Sequence, residues 1–131
     1  MKILLDTHTF LWFIGGDDQL DTHARRVIED LGNERYRSTA SLWEITIKSS
    51  LGRLTVPMPP SELVRDHIWA NAIGLLTIRP EHLDALHALP YHHKDPFDRL
   101  LIAQAWQDDM VLVSRDEAFS AYDVQILWSS P

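Results

Sequence analysis

Short apolar runs alternate with segments of helical periodicity along the whole chain. The apolar runs are typical of strands, which we predict at residues 2–6, 75–78, 111–114 and 124–128, and residues 35–38 are predicted as a further short strand. Capping residues, prolines and glycines delimit helices between them, predicted at residues 7–14, 22–32, 41–51, 61–73, 80–89, 95–108 and 116–122. Because strands separated by helices form parallel sheets covered on both faces, the pattern predicts an α/β fold with a central, mainly parallel sheet.

Composition and charge narrow the classes of protein that this chain can be. Its 131 residues suit a single domain spanning residues 1–131, and 45% hydrophobic with 24% charged residues is typical of a globular protein. The absence of cysteine excludes disulfides, zinc–thiolate sites and thiol nucleophiles. The net charge of −7 argues against a protein that coats nucleic acid through a general basic surface. Any contact with nucleic acid must therefore be local or mediated by a metal.

No segment predicts a membrane span or a secretion signal. The longest stretch that leans apolar, residues 67–78, is too short and too mixed for a membrane helix. The first apolar run meets Asp6 before the core of a signal peptide develops. We therefore expect a cytoplasmic protein with no membrane partner.

Four acidic residues lie where an apolar strand ends or a helix begins. They are Asp6, Glu44, Asp98 and Asp116. The carboxyl ends of parallel strands share one edge of the sheet, so acids that are distant in sequence can converge on one crevice there. Carboxylate oxygens are the ligands that Mg²⁺ and Mn²⁺ prefer, and the sequence therefore predicts a site for a hard divalent cation.

Helix capping is the alternative role for each of these acids. Ser41 and Glu44 have the spacing of a capping box. Asp95 is predicted to be the N-cap of the helix that Pro96 begins, which leaves Asp98 in the first turn, where a negative charge favours the helix dipole. The two acids that follow strands can cap the next helices in the same way. Taken singly, each acid fits a cap better than a catalyst, but a cluster of like charges is costly unless a cation occupies it.

The basic and aromatic residues near the acids have ordinary explanations. Lys48 lies four positions after Glu44, which predicts an ion pair on one helix face. His92 and His93 are predicted to be solvated or to face the substrate. Four cations that flank the acids can bind RNA backbone locally or be solvated surface: Arg53, Lys94, Arg99 and Arg115. Tryptophans are core residues by default, although Trp12 and Trp43 are expected to be partly exposed.

Four sequence blocks resemble the PIN-domain ribonucleases, especially the VapC-type toxins of bacterial toxin–antitoxin systems. The blocks are MKILLDTHTFLW at residues 1–12, SLWEITIK with LGRL at 41–54, HHKDPFDRLLIAQA at 92–105 and VLVSRD at 111–116. They occur in the family's order across nearly the whole chain. The resemblance implies a PIN-like three-layer α/β/α domain whose acidic metal-binding set is Asp6, Glu44, Asp98 and Asp116. Ser114 matches a position where the family usually has Thr or Ser.

The resemblance also implies an activity and its partners. We expect a metal-dependent endoribonuclease, with Mg²⁺ or Mn²⁺ held directly by Asp6 and Asp98. Glu44 and Asp116 are expected to be direct or water-mediated ligands, or to orient the attacking water. The expected partners are RNA, a cognate antitoxin that packs an apolar segment near the early helices, and a second copy of the chain in a homodimer. The alternative is a phosphoacceptor signalling domain that binds Mg²⁺ without cutting nucleic acid, although a second acid after the first strand and a late-strand lysine are missing.

Overall fold

The computed structural model describes residues 1–129 and contains one sheet in which every strand pair is parallel. Its strand order is β3-β2-β1-β4-β5, so β1 lies at the centre. The strands are β1 (Lys2–Leu5), β2 (Glu34–Ser38), β3 (Gly74–Leu76), β4 (Val111–Val113) and β5 (Ile126–Leu127). The predicted parallel sheet is confirmed.

Helices cover both faces of this sheet and give a three-layer α/β/α arrangement. They are α1 (Thr7–Gly15), α2 (Thr22–Glu29), α3 (Thr39–Ser50), α4 (Pro60–Leu63), α5 (Pro80–Ala88) and α6 (Pro96–Gln107). One face of the central strand packs Ile3 and Leu5 against a cluster that includes Phe10 and Ile28. The other face packs Leu4 against a cluster built around α6. Because both faces of β1 are buried, its sequence is continuously apolar instead of alternating.

The strand order creates a switch point beside the central strand. From β1 the chain winds outward through β2 to β3 on one side, and it later returns to form β4 and β5 on the other side. Helices that follow β1 and β4 therefore diverge at the carboxyl edge and leave a crevice between them. Ligands of open α/β sheets bind in the crevice at such a point.

The segment predicted as one helix over residues 61–73 differs from the prediction. It begins one residue earlier as α4, widens into a π-helical turn at Val64–Ile68 and tightens into a 3₁₀ turn at Trp69–Asn71. Leu63 and Ile68 are both fully buried although they are five positions apart. The wider turn brings both side chains towards the core, which a regular α-helix would not do.

Several predicted boundaries are also wrong. The helix predicted from Ser41 begins at Thr39, because Ser38 at the end of β2 accepts a hydrogen bond from the Ala40 N–H and caps α3. The second helix ends at Glu29 rather than near Gly32, with Asp30 as its C-cap. Three further elements are shorter than predicted: β3, β5 and the turn of 3₁₀ helix at Glu117–Ala121. None of the helices within residues 1–129 combines the length and apolar character that a membrane crossing requires.

Candidate active site

The four predicted acids converge on one crevice at the carboxyl edge of the sheet. Asp6 directly follows β1 and Asp116 comes three residues after β4, whereas Glu44 projects from α3 and Asp98 from the first turn of α6. Together with Asp95 they line an open crevice of about 310 Å³. Residues separated by up to 110 positions are thus brought together by the strand order.

Asp6 and Asp116 each cap a helix and line the crevice at the same time. Asp6 Oδ1 accepts a hydrogen bond of 2.8 Å from the Thr9 N–H and so caps α1. Asp116 Oδ1 accepts one of 2.9 Å from the Ala118 N–H at the next helical turn. In each carboxylate the cap uses one oxygen, and within residues 1–129 the other has no hydrogen bond. The caps therefore fix the side chains and leave an oxygen available on each.

Asp95 is primarily a cap. Its Oδ1 accepts hydrogen bonds from the Phe97 N–H at 2.8 Å and the Asp98 N–H at 3.1 Å, as the sequence predicted. Because these bonds hold the first turn of α6, Asp95 also fixes the backbone from which Asp98 projects.

Asp98 carries the strongest electrostatic effect in the crevice. Burial raises the pKa of its carboxyl group to about 7, and the charges of Asp95, Glu44, Asp6 and Asp116 raise it further in that order. Desolvation and like charge both oppose the ionised form. A bound cation would relieve this repulsion, because its positive charge offsets the negative charges of the carboxylates.

Glu44 differs from the aspartates because both of its oxygens are engaged. Oε1 accepts a 2.6 Å hydrogen bond from the Thr7 hydroxyl, and Oε2 forms a 2.5 Å ion pair with Lys48 Nζ. This contact raises the pKa of the Lys48 ammonium above its usual value. The predicted pair of Glu44 and Lys48 is confirmed. The predicted capping box is wrong, since Glu44 faces the crevice and Ser38 replaces Ser41 as the N-cap.

The remaining oxygens fit a hard divalent cation. Within residues 1–129, Asp6 Oδ2 and Asp98 Oδ1 accept no hydrogen bond, and Asp116 Oδ2 has only a distant contact with His93. Asp98 and Asp116 have ligand atoms within 4.8 Å of each other, and Asp6 lines the same crevice without belonging to that close group, so the three aspartates offer the oxygen donors that Mg²⁺ or Mn²⁺ takes, with waters completing the coordination. Glu44 is less suited to direct ligation because Thr7 and Lys48 already bind it.

His93 lies closer to the acids than the sequence indicated. Its Nε2 is 3.2 Å from Asp98 Oδ2 and 3.9 Å from Asp116 Oδ2, and its ring stacks on Phe119. The three side chains have ligand atoms within 4.8 Å of one another. His93 is therefore not simply solvated, whereas the expectation that it faces the substrate stays a prediction. His92 is exposed and contacts Tyr122 edge-on.

The hydrogen bond that His93 Nδ1 accepts determines which ring nitrogen carries the proton. The Asp95 N–H donates to Nδ1 at 3.1 Å, so Nδ1 bears no hydrogen and the neutral ring carries its proton on Nε2. Nε2 then carries its proton at 3.2 Å from Asp98 Oδ2 and has no lone pair for a metal. The geometry makes His93 a residue that orients a carboxylate, although it lies within coordination distance.

Arg37 is the second residue that sequence reasoning missed. Its side chain is fully buried on β2, where Nη1 donates to the Leu5 carbonyl at 2.8 Å and the guanidinium lies 4.7 Å from the Phe10 ring centroid. Burial lowers its pKa to about 10, opposed by the charges of Asp6 and Glu44. Arg37 therefore remains cationic and partly balances the acids from beneath. The sequence offered only a weak signal for this role, since Arg37 lies within a predicted short strand.

The four flanking cations have different positions. Arg115 lines the crevice, whereas Arg53 and Lys94 are exposed outside it. Arg99 is buried and donates to the Pro90 carbonyl at 2.9 Å, so it is neither solvated surface nor free to bind RNA, and its role is structural.

Tryptophan burial also departs from the default. Trp43 is exposed and Trp12 half-buried, as expected. Trp69 and Trp106 are largely exposed as well, Trp69 at the start of a 3₁₀ turn and Trp106 near the end of α6.

Comparison with known proteins identifies the fold. The family model described as PIN domain matches residues 3–125. Similar solved structures include VapBC2 from Rickettsia felis bound to a DNA fragment from their promoter, with 15% identity over 100% of each chain and a TM-score of 0.73. DNA-bound VapBC from Salmonella typhimurium has 15% identity over 97% of each chain and a TM-score of 0.71. A toxin–antitoxin complex from Klebsiella pneumoniae has 16% identity over 95% of each chain and a TM-score of 0.63. No curated protein matches the chain.

Proposed function

This chain belongs to the PIN domain family, and we propose that it is a metal-dependent endoribonuclease that acts as the toxin of a toxin–antitoxin pair. The observation that carries the proposal is the convergence of Asp6, Glu44, Asp98 and Asp116 on one crevice at the switch point of the sheet. The phosphoacceptor alternative gains no support within residues 1–129, because β4 is followed by Ser114 and Arg115 and not by a lysine.

We assign the aspartates to the metal. Asp6, Asp98 and Asp116 would hold Mg²⁺ or Mn²⁺ through the oxygens that no cap or hydrogen bond engages. The ion, when bound, supplies charge neutralisation at the phosphate and a more acidic water for hydrolysis of the phosphodiester bond. The proposal holds for one ion or two.

The other residues of the site hold the carboxylates in position and balance their charge. Thr7 and Lys48 fix both oxygens of Glu44, which places this carboxylate to accept a proton from a water rather than to ligate directly. His93 Nε2 lies 3.2 Å from Asp98 Oδ2 and would support the orientation of this carboxylate. Arg37 keeps a positive charge beneath Asp6 and Glu44, which lowers the cost of holding several acids together.

Cleavage of a panel of structured RNAs with and without Mg²⁺ or Mn²⁺ tests this function. The proposal predicts cuts within the RNA that require the metal and that stop when EDTA is added. Cleavage of DNA but not of RNA, or cleavage that continues unchanged in EDTA, would contradict it.

We further propose a cognate antitoxin as the partner, bound in an apolar groove beside α1. The groove is lined by Leu11 and Ile14 from α1 and by Val56, Pro57 and Met58 from the loop after α3. An apolar antitoxin segment would cover these side chains and carry a basic residue to the nearby acids, in place of the metal charge. A homodimer of this chain belongs to the same proposal.

Co-purification tests the partner. The product of the gene adjacent to this one, co-expressed with the tagged chain, should bind the wild type and lose binding in Leu11→Asp. Leu83→Asp is the matched control, because Leu83 is exposed on α5 outside the groove. If Leu11→Asp and Leu83→Asp capture the antitoxin equally well, the antitoxin does not bind in this groove. Light scattering that finds only monomer at micromolar concentration would reject the homodimer.

A further inference from the structure

Part of the acidic crevice is formed by aromatic and cationic side chains. His8, Trp12 and Arg115 line it together with the acids. The Arg115 Cζ lies 4.5 Å from the Trp12 ring centroid, and the His8 ring stacks on the same indole at 5.7 Å with an interplanar angle of 30°. We call these three residues the Trp12 platform.

Arg115 differs from the other cation of the crevice in having no acidic partner. Lys48 is paired with Glu44 at 2.5 Å. Within residues 1–129, Arg115 forms no salt bridge and no hydrogen bond, even though it is adjacent to Asp116 in sequence. Its guanidinium is held by the indole face, which leaves its N–H donors free for an anion. A phosphate is the anion whose geometry suits a guanidinium best.

The platform is also held in place before any ligand arrives. Trp12 is half-buried on α1, and its ring makes an edge contact with Trp128 at 6.0 Å. His8 is exposed one turn earlier on the same helix. The exposed His8 ring, held against the fixed indole, offers its outer face to a planar group at low entropic cost.

We propose that the Trp12 platform is a nucleotide subsite for single-stranded RNA, next to the position of the scissile phosphate. Arg115 binds a backbone phosphate, and the exposed His8 ring, which Trp12 supports from behind, stacks an unpaired base. Bases in a duplex have their faces covered by neighbouring bases, so stacking on this surface requires a single strand, a loop or an end. This inference rests on the proposed ribonuclease function and assigns the residues that bind the nucleotide beside the scissile phosphate.

The charge distribution supports a local subsite. The acids of the crevice repel the phosphates of RNA, and the net charge of −7 offers no general attraction. An unpaired arginine at the crevice supplies attraction at one phosphate, while stacking supplies affinity that does not depend on charge. The two contributions can therefore be separated by their salt dependence.

Binding of a short fluorescein-labelled oligoadenylate RNA, followed by fluorescence anisotropy, tests the subsite. All measurements use an Asp98→Asn background, which prevents cleavage during the titration. Adding Trp12→Leu should weaken binding by about 5-fold to 100-fold without changing the slope of log K against log salt. Adding Arg115→Gln should weaken binding and reduce the slope by about 0.7, the contribution of one phosphate contact on a single strand.

Arg26→Gln is the matched control, because Arg26 is exposed on α2 and does not line the crevice. It should leave both the affinity and the slope unchanged. Thermal melting of each variant verifies that the fold is retained. A duplex of the same length should bind with no dependence on Trp12.

The outcomes separate this inference from the proposed function. If the wild type cleaves RNA in Mn²⁺ but Trp12→Leu and Arg115→Gln bind as tightly as the background protein, the subsite is wrong and the ribonuclease stands. An effect of Arg115→Gln alone rejects the stacking platform. Absence of metal-dependent cleavage by the wild type rejects the proposed function whatever the binding data show.

Discussion

Asp6 and Asp116 each use the two oxygens of one carboxylate for different tasks. One oxygen caps a helix, and the other is free in the crevice. Substitution by Asn keeps an oxygen for the cap and replaces the second oxygen by an NH₂ group, which cannot ligate a cation. The Asn variants therefore separate the structural role of each residue from its proposed chemical role.

Asp98 makes the stability of the metal-free protein depend on pH. With a pKa of about 7 in the folded state against 3.8 in the unfolded chain, the folded protein binds this proton more tightly. Stability contributed by the protonated group is complete below about pH 4 and is lost as the pH rises to about 7. Asp98→Asn lacks this loss, so its metal-free melting temperature should exceed that of the wild type by roughly 10 °C above neutral pH.

Melting curves of both proteins in EDTA across this pH range measure the effect. The difference between them should grow from about pH 4 to about pH 7 and then remain constant, as expected for the single carboxyl group. A difference that is constant over the whole range would show that Asp98 titrates normally.

His93 tests whether proximity to the acids implies metal ligation. Because the Asp95 N–H donates to Nδ1, we expect one histidine ring with its proton on Nε2, and we expect this tautomer to persist when Mg²⁺ is added. Nitrogen-15 NMR of histidine-labelled protein distinguishes the two tautomers, and His93→Gln identifies the signal. Loss of the Nε2 proton upon addition of Mg²⁺ would show that His93 is a ligand.

At the level of elements, the start of α3 sets the position of Glu44. Ser38 Oγ accepts from the Ala40 N–H and donates to Gln104 Oε1 at 2.5 Å, which ties the helix start to α6. Ser38→Ala should therefore cost about 1–2 kcal/mol of unfolding free energy. Ser41→Ala should be neutral or stabilising, because the buried Ser41 hydroxyl has no hydrogen-bond partner within residues 1–129.

Urea unfolding of the two alanine variants compares these serines directly. Ser38 and Ser41 lie three positions apart at the start of α3 and undergo the same chemical change, so each is a control for the other. A larger loss in Ser41→Ala than in Ser38→Ala would restore the capping box that the sequence suggested.

The elements also show what the sequence could predict. Apolar runs such as residues 2–5 identified the strands, and the Asp95-Pro96 pair identified the start of α6, because both signals are local. The π turn at Val64–Ile68 was not predictable, since it depends on where Leu63 and Ile68 meet the core. Arg37 and His93 were missed for the same reason: their partners lie on other elements.

At the scale of the whole molecule, the fold concentrates negative charge at one edge of the sheet. If the carboxylates form one site, Mn²⁺ binds the folded state preferentially and raises its stability, by about 2.7 kcal/mol when the free ion is at 100 times its Kd. Asp6→Asn and Asp98→Asn should blunt this rise. Asp21→Asn is the control, because Asp21 caps α2 through the same type of hydrogen bond outside the crevice. Equal rises in all four proteins would reject a single metal site.

The most direct test of the central claim is RNA cleavage in Mn²⁺ by the wild type and by Asn variants purified in parallel. Asp6→Asn and Asp98→Asn should lose more than about 100-fold of the activity, beyond the range seen for residues that only support a metal ligand. Asp95→Asn should retain most activity, because the amide oxygen preserves its cap. Glu44→Gln and Asp116→Asn complete the set. Full activity in both Asp6→Asn and Asp98→Asn would contradict the account.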